Sequence, residues 1–212
     1  CAHVSQQRDN NAELLSTKVT QQLVHLGMEK AEFTIVNQKK ESEHSLFARV
    51  DDKSYQVTSK GIDSIEFRIR TNPGETVKPL ANIASGGEIS RVMLALKTLL
   101  ADQVPVLIFD EIDAGISRRI AHAVGANLRK LAHSHQTICI THLPQIASMA
   151  DHHFLVEKQS DDSKTRTDIR KLQDSERLEF IARLFGGETV TDAHLKSAAD
   201  LIREANVGSK NR

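Results

Sequence analysis

The sequence lacks tryptophan, and its 212 residues include only one tyrosine and two cysteines. Two cysteines are too few for the disulfide framework of a small secreted protein, so we expect a reducing, cytoplasmic location. Charge of one sign is not in excess either, because 28 basic and 28 acidic residues give a formal net charge of zero. Bulk charge therefore does not indicate nucleic-acid binding, and any contact with DNA would have to come from a local basic patch.

Long hydrophobic runs are also missing. No apolar stretch approaches the roughly 18 residues that a bilayer-spanning helix needs, and no signal-peptide pattern opens the chain, so no membrane partner is expected. The G-x-x-x-x-G-K-[ST] loop that cradles nucleotide phosphates in many hydrolases does not occur in the sequence. The chain begins without methionine, in a composition typical of a helix interior, which suggests an excised piece of a longer protein.

Composition and patterning predict an α/β fold. Hydrophobic residues make up 39% of the sequence and charged residues 26%, ordinary proportions for a globular protein that can bury a core. Helical spacing of apolar residues over about 9–26 predicts a helix in residues 1–27, either a plain helix or the end of a coiled-coil arm, with Gly27 as the helix stop. Short strands in 28–79 predict a small, mostly antiparallel sheet.

Two segments of that sheet are distinctive. Residues 33–36 and 45–50 are predicted to be short strands on either side of a charged turn. Residues 63–70 alternate cleanly between apolar and charged side chains, which predicts a half-buried strand. The Asn-Pro-Gly sequence at 72–74 is expected to end it in a turn.

After residue 79 the pattern changes to helical and then to continuously apolar. The run from Val104 to Phe109 and the run from Thr137 to Ile140 predict strands covered on both faces, as in parallel sheets. A helix predicted over about 118–132 connects them into a βαβ unit with a right-handed crossover. Ligands of such sheets bind beyond the carboxyl ends of the strands.

Further predicted elements surround this βαβ unit. The preceding helix has an apolar stripe formed by Ile89, Val92, Met93, Leu96, Leu99 and Leu100. A strand pair near 154–157 and 165–172 and two final helices complete a lobe assigned to 80–207, and a frayed tail is expected at 208–212.

Ser85, Gly86, Gly87 and Glu88 open the helix that carries this stripe. Ser85 and Glu88 match the Ser-x-x-Glu pattern of a capping box, so the simplest interpretation is a plain helix cap. The two glycines cost helix stability, about 1 kcal/mol each relative to alanine, which makes sense where a ligand approaches the backbone closely. Exposed N–H groups and the positive end of the helix dipole would then bind a phosphate.

Acidic residues follow the first apolar strand, and a histidine follows the second. Asp110 is a candidate ligand for Mg²⁺ through water, because that ion prefers oxygen ligands and keeps part of its hydration shell. Glu111 is the candidate base that deprotonates an attacking water. His142 would hydrogen-bond a terminal phosphate and stabilise the charge that develops there. A solvated acidic pair and a structural histidine are the simpler alternatives.

Other candidate sites have weaker support. The ten histidines include a loose group at positions 133, 135, 142, 152 and 153, but in no spacing typical of a zinc site. Cys139 lies inside an apolar run, where a buried and inert thiol is the simplest interpretation. Basic pairs such as Lys39–Lys40 are not interleaved with aromatic residues, which favours a solvated face over a DNA contact.

Taken together, these segments resemble the ABC-type ATPases. Ser85–Glu88 resembles their signature motif, Val106–Glu111 their Walker B strand, and His142 their switch histidine. The D-loop of that family is matched by Asp113, Ala114, Gly115, Ile116 and Ser117. The longer segments at 83–88, 109–116 and 141–147 are more specific, and they resemble the C-terminal half of the RecN family, SMC-like ATPases of bacterial DNA double-strand-break repair and recombination.

This resemblance implies an ABC/SMC-type ATPase half-head that uses ATP and Mg²⁺. In the family, the P-loop lies in an N-terminal half beyond a coiled coil, and two heads sandwich ATP. The implied partners are that N-terminal half, a second copy of the head and DNA, in a nucleoid-associated cytoplasmic location. Residues Ser85–Glu88 would reach nucleotide on the partner head, and the chain alone would be inactive. Ser117 departs from the aspartate common in ABC D-loops.

Two other functions stay open on the residues alone. The chain is alternatively a non-catalytic ABC-like module for DNA or protein binding. A piece of an ABC transporter ATPase is a further alternative, although nothing here resembles membrane coupling. The sequence upstream of Cys1 would discriminate among these alternatives. Only the RecN-like hypothesis predicts a P-loop there, followed by several hundred residues of heptad repeats.

Overall fold

A computed structural model describes residues 1–42, 46–50, 52–100, 104–161, 164–187 and 189–210. These residues form two compact units, Cys1–Asp102 and Gln103–Arg212. Among the described residues, no helix combines the length and the hydropathy that crossing a bilayer requires.

The first unit opens with helix α1 (Ala2–His25), which begins earlier than the apolar spacing predicts. Gly27 follows it with a φ of +79°, a left-handed conformation that glycine adopts without strain, so the helix stops where the sequence indicates. Val19 and Leu23 are fully buried, whereas Leu14 is 54% exposed. Full burial is therefore confined to the C-terminal part of the predicted apolar stripe.

Antiparallel strands make up most of the remaining first unit. They are β1 (Glu32–Lys39), β2 (Phe47–Val50), β3 (Lys53–Gln56), β4 (Asp63–Arg70) and β5 (Lys78–Pro79). One sheet has the order β1-β4-β5, and β2 pairs with β3 in a second sheet. The antiparallel character and the bounds of β4 agree with the sequence prediction, and the division into two sheets was not predicted.

The pairing of β1 with β4 corrects the expectation that 33–36 and 45–50 flank one turn as neighbouring strands. Phe33 lies opposite Ile69, and Ile35 lies opposite Phe67. Phe33 and Ile69 are each only 2% exposed, and the rings of Phe33 and Phe67 are 5.6 Å apart. The apolar side chains on these two strands bury each other, and this long-range contact decides the pairing.

A short 3₁₀ turn (Leu80–Asn82) leads into helix α2 (Gly86–Leu99), which packs against α1. Val92 and Leu96 are buried as predicted. The prediction that Met93 and Leu100 lie on the buried face of the helix is wrong, because these side chains are 37% and 42% exposed. The packed face includes Leu94 as well. The helix exists where the sequence predicts, and packing partners determine its buried side.

The second unit contains the parallel strands and the last helices. Its elements are β6 (Val106–Phe109), α3 (Arg118–Leu131), β7 (Gln136–Cys139), α4 (Pro144–Ala147), β8 (Phe154–Asp161), β9 (Lys164–Lys171), α5 (Asp174–Gly186) and α6 (Asp192–Lys210). Strands β6 and β7 are parallel, from Val106 opposite Gln136 to Phe109 opposite Cys139. With α3 between them, they confirm the predicted βαβ unit.

The expectation that both faces of this strand pair are covered is wrong for the chain. Leu107 and Phe109 are 7% and 4% exposed, whereas Ile108 is 67% exposed and Ile140, just after β7, is 57% exposed. Within the described ranges of the second unit, one face of the pair is packed and the other is left open and apolar.

Strands β8 and β9 pair along their full length, and α5 and α6 pack through Ile181, Ala182 and Ala198. Helix α6 extends to Lys210, and residues 211–212 of the predicted frayed tail lie outside the described residues. The compact units divide the chain between 102 and 103, so α2 lies with the antiparallel sheets. The functional boundaries at 27, 79 and 207 stay predictions.

Candidate nucleotide site

The acidic pair lies directly after β6, and both residues are exposed. Glu111 has a φ of +55°, a left-handed conformation that residues other than glycine seldom adopt. The backbone N–H of Glu111 donates to Oδ1 of Asp110 at 2.9 Å, which helps to hold this geometry. Backbone conformations of this kind concentrate at functional sites, where the surrounding structure maintains them.

The predicted D-loop residues form a turn that leads into α3. The N–H of Ala114 donates to the carbonyl of Glu111 at 3.0 Å, and Gly115 takes a φ of +69°. Ser117 then caps α3, because its Oγ accepts a hydrogen bond from the N–H of Ile120 at 3.5 Å. The departure at Ser117 is therefore locally conservative, since serine and aspartate are both favoured helix caps.

Asp113 links this turn to the segment after β7. Its Oδ2 accepts hydrogen bonds from the Thr141 hydroxyl at 2.5 Å and from the His142 backbone N–H at 3.0 Å. The Nδ1 atom of His142 lies 3.2 Å from the same oxygen. The Asp113 side chain is only 4% exposed, whereas the His142 side chain is 74% exposed. A buried carboxylate thus holds an exposed imidazole.

The parallel pairing explains why these groups meet. The N–H of Ile140 donates to the carbonyl of Phe109 at 2.9 Å, so the ends of β6 and β7 are joined immediately before Asp110 and Thr141. Burial raises the pKa of the Cys139 thiol to about 12, and the charges of Asp113 and Asp110 add to the shift. The thiol is therefore protonated and unreactive at neutral pH.

Helix α4, which follows the His142 segment, lies close against α3. A Cβ atom at Gly125 would lie 2.9 Å from Sδ of Met149 and 3.3 Å from the carbonyl oxygen of Gln145. Any larger residue would make Met149 and the Gln145 carbonyl shift, so glycine favours this close approach. Gly125 was not among the predicted site residues, and its only signal in the sequence was a glycine inside a predicted helix.

The carbonyl groups at the end of α4 receive hydrogen bonds from two partly buried side chains. Arg177 donates to the carbonyls of Ser148 at 2.9 Å and Ala150 at 2.7 Å. Nε2 of His153 lies 2.7 Å from the carbonyl of Ala147, and burial lowers the pKa of His153. His153 is therefore engaged in supporting this helix rather than in a metal site.

The glycine-opened helix belongs to the first unit. The Oγ of Ser85 accepts a hydrogen bond from the N–H of Glu88 at 3.4 Å, so the predicted cap forms. Ser85 and Gly86 are exposed and Gly87 is buried. Burial lowers the pKa of Arg91, and the charge of Glu88 opposes that shift. These observations establish the cap, while the phosphate role of Ser85–Glu88 stays a prediction.

The acidic site fits a magnesium ion that is only partly held by protein. Within the ranges described above, no three His, Cys, Asp or Glu side chains converge as a metal cage. Asp110 presents an exposed carboxylate at the strand end. Such a single carboxylate suits Mg²⁺, which usually keeps several waters and takes further oxygens from substrate phosphates.

Sequence comparisons identify relatives that are named DNA repair protein RecN, although no protein-family profile matches the chain. The protein of Bacillus subtilis strain 168 is 39% identical over 208 residues, covering 97% of this chain and 36% of the relative. That of Haemophilus influenzae is 40% identical over 197 residues, 92% of this chain and 33% of the relative. That of Vibrio cholerae is 41% identical over 193 residues, 90% and 32% respectively.

Solved SMC structures show a weaker likeness. An Smc head domain with a coiled coil and joint from Pyrococcus yayanosii is 17% identical, with a TM-score of 0.49 over 82% of this chain and 29% of that chain. A structure from work on ATP-driven dimerization and DNA-stimulated activation of SMC ATPases is 16% identical. Its TM-score is 0.45, over 87% of this chain and 99% of that chain. Neither value carries an argument about function.

The βαβ unit, the acidic strand end and the segment of His142 belong to an α/β protein with a parallel strand pair. The chain belongs to the RecN family. It spans about a third of the length of the curated relatives it matches, at 36%, 33% and 32%.

Proposed function

We propose that the chain is the C-terminal part of a RecN-like ATPase head that serves DNA double-strand-break repair and recombination in the cytoplasm, at the nucleoid. One observation carries this proposal: Asp110, Glu111, Asp113, Thr141 and His142 gather at the joined ends of β6 and β7. The RecN relatives supply the biological context, DNA repair.

Each residue of this strand end has a role in the proposed hydrolysis. Glu111, exposed and held in its left-handed conformation, orients the attacking water and accepts its proton. His142 contacts the terminal phosphate of ATP through its exposed ring. Asp110 would hold Mg²⁺ through water, and such an ion would supply charge stabilisation on the phosphate oxygens.

The N-terminus of α2 has a different role in the proposal. Ser85, Gly86, Gly87 and Glu88 face the phosphates of ATP that is held by the other head of a homodimer. The glycines keep the first turn open to close approach, and the helix dipole favours a negative charge there. The D-loop residues 113–117 lie next to the strand end that carries Glu111. In this proposal their conformation responds to changes at that strand end.

The apolar open face of β6 and β7 supports an intramolecular partner, the N-terminal P-loop half. Exposed side chains on this face are Val106 at 37%, Ile108 at 67%, Ile138 at 44% and Ile140 at 57%. A continuous apolar surface on a strand pair needs cover, because its exposure to water is unfavourable. The relatives are about three times as long as this chain. Another part of such a protein is therefore long enough to cover this apolar surface.

Reconstitution tests the proposal directly. The chain, the P-loop half and the two together are assayed for Mg²⁺-dependent ATP hydrolysis, and only the combination is expected to be active. Glu111→Gln should lower the rate of the combination by roughly 100-fold or more, while Glu204→Gln, at another exposed glutamate, should leave it unchanged. A combined head that binds ATP but never hydrolyses it would instead favour a non-catalytic binding module.

A further inference from the structure

Asp113 has contacts that a turn residue does not need. Its carboxylate is 4% exposed, and one oxygen, Oδ2, contacts three groups of the segment after β7. Two of them, the Thr141 hydroxyl and the His142 N–H, fix the backbone of that segment. The third, Nδ1 of His142 at 3.2 Å, belongs to the ring that is proposed to meet the phosphate.

The distance between Nδ1 and Oδ2 determines where the imidazole proton lies. If Nδ1 carried a lone pair, two electron-rich atoms would face each other at 3.2 Å with a buried carboxylate on one side. A proton on Nδ1 turns this repulsion into an attraction. The contact with Oδ2 therefore favours the Nδ1–H form of the neutral ring, in which Nε2 is the atom left for a ligand.

We propose that Asp113 is a positioning residue for His142, which sets the tautomer of the ring and presents Nε2 to the terminal phosphate. The significance for hydrolysis rests on the function proposed above, but the tautomer itself does not. In this form Nε2 carries a lone pair, so the ring donates to a phosphate oxygen only after it has taken up a second proton from solvent.

The same contact connects two loops of the site. Asp113 sits in the turn that is closed by the hydrogen bond from the Ala114 N–H to the Glu111 carbonyl. A shift of this turn would displace Oδ2, and the ring of His142 would lose its partner. The D-loop turn and the switch histidine are thus expected to move together.

The tautomer can be measured on the isolated chain. Long-range ¹H–¹⁵N NMR spectra of the imidazole nitrogens, recorded at a pH where the ring is neutral, distinguish protonated from unprotonated nitrogen. His142→Gln identifies the signals. We expect a protonated Nδ1 in the original chain and a shift toward the Nε2–H form in Asp113→Ala, because no acceptor oxygen then faces Nδ1.

Thr141→Val is the matched control. It removes the hydroxyl that donates to Oδ2 but leaves the carboxylate next to Nδ1, so the Nδ1–H form should persist. Backbone amide spectra of each variant show whether it is folded. A ring in the Nε2–H form in the original chain, or an unchanged tautomer in folded Asp113→Ala, would overturn the proposal.

Hydrolysis by the reconstituted head provides the second readout. We expect Asp113→Ala to lower kcat by roughly 10–100-fold with little change in KM, as for other groups that orient a functional histidine. If His142→Gln hydrolyses ATP at the original rate, the role of His142 in the proposed function fails, whatever the tautomer. If His142→Gln is slow and Asp113→Ala is as fast as the original, the positioning role of Asp113 fails instead.

Discussion

Ser5 of α1 donates a hydrogen bond of 2.6 Å to Asp63, which lies 58 residues later at the start of β4. Arg8 donates to the other carboxylate oxygen at 2.7 Å, and Asn37 of β1 donates at 3.0 Å. The Asp63 side chain is 1% exposed. One buried carboxylate therefore fastens the helix that we predict to be the end of a coiled-coil arm to the sheet of the first unit.

Removing the charge of Asp63 should destabilise the chain. Asp63→Asn weakens the bonds from Ser5 and Arg8 and leaves buried donors poorly matched, at a cost of about 2–3 kcal/mol. Asp168→Asn is the control, because Asp168 pairs with Arg166 at the surface and such pairs contribute about 0–1 kcal/mol. Urea unfolding measures both, and equal losses would contradict the anchoring role of Asp63.

The same carboxylate predicts a dependence of stability on pH. Burial raises the pKa of Asp63, but the hydrogen bonds from Ser5, Asn37 and Arg8 and the charge of Arg8 outweigh it, so the pKa lies below its ordinary value. This contribution is fully present above the unfolded-state pKa of about 4 and is lost as the pH falls through the folded-state pKa.

Unfolding of the original chain and of Asp63→Asn between pH 7 and pH 3 tests this sign. The stability difference between them should shrink as the medium becomes more acidic, because the carboxylate takes up its proton at a higher pH in the unfolded chain than in the folded chain. A difference that stays constant down to pH 3 would show that the shape of the side chain matters and its charge does not.

Gly125→Ala should push α4 away from α3. Alanine favours a helix by about 1 kcal/mol over glycine, but its Cβ would meet Met149 and the Gln145 carbonyl at 2.9 and 3.3 Å. Overpacking of this kind costs about 1–3 kcal/mol, so we expect a small net loss in thermal stability. The cost of Gly125→Ala should be smaller in a Met149→Ala background than in the original chain, and an equal cost would place the strain on the Gln145 carbonyl instead.

The left-handed conformation of Glu111 can be tested by a pair of substitutions. Glu111→Gly and Glu111→Ala both remove the carboxylate, but only glycine adopts the φ of +55° without strain. The glycine variant should therefore be more stable than the alanine variant by about 1 kcal/mol in urea unfolding. Both should lack ATPase activity in the reconstituted head. Equal stabilities would mean that the turn relaxes after substitution.

The open face of the parallel strands should be where the P-loop half binds. Ile108→Lys places a charge on a side chain that is 67% exposed in the isolated chain, so the chain should fold normally. Its affinity for the P-loop half should fall by roughly tenfold or more, because the charge would be buried on binding. Val77→Lys, at a position 41% exposed outside the strands, serves as the control in a titration.

Local pattern was sufficient for several elements of this fold. The strand at 63–70 and the stop at Gly27 follow from alternation and from the conformational freedom of glycine, which depend on a few neighbouring residues. The βαβ unit follows from two apolar runs and a helix of the right length. The acidic pair and His142 could be expected at one edge for the same reason, since parallel strands end on the same side.

Other features depend on contacts between distant residues, which no local pattern specifies. β1 pairs with β4 because Phe33 and Ile69 bury each other. The open face of β6 could not be inferred from its sequence, because an apolar run is the same whether or not a partner covers it. The link from Asp113 to His142 spans 29 residues. Residue types along the chain indicated the chemistry of the site, whereas hydrogen bonds made only in the folded state determine which atom of His142 faces a ligand.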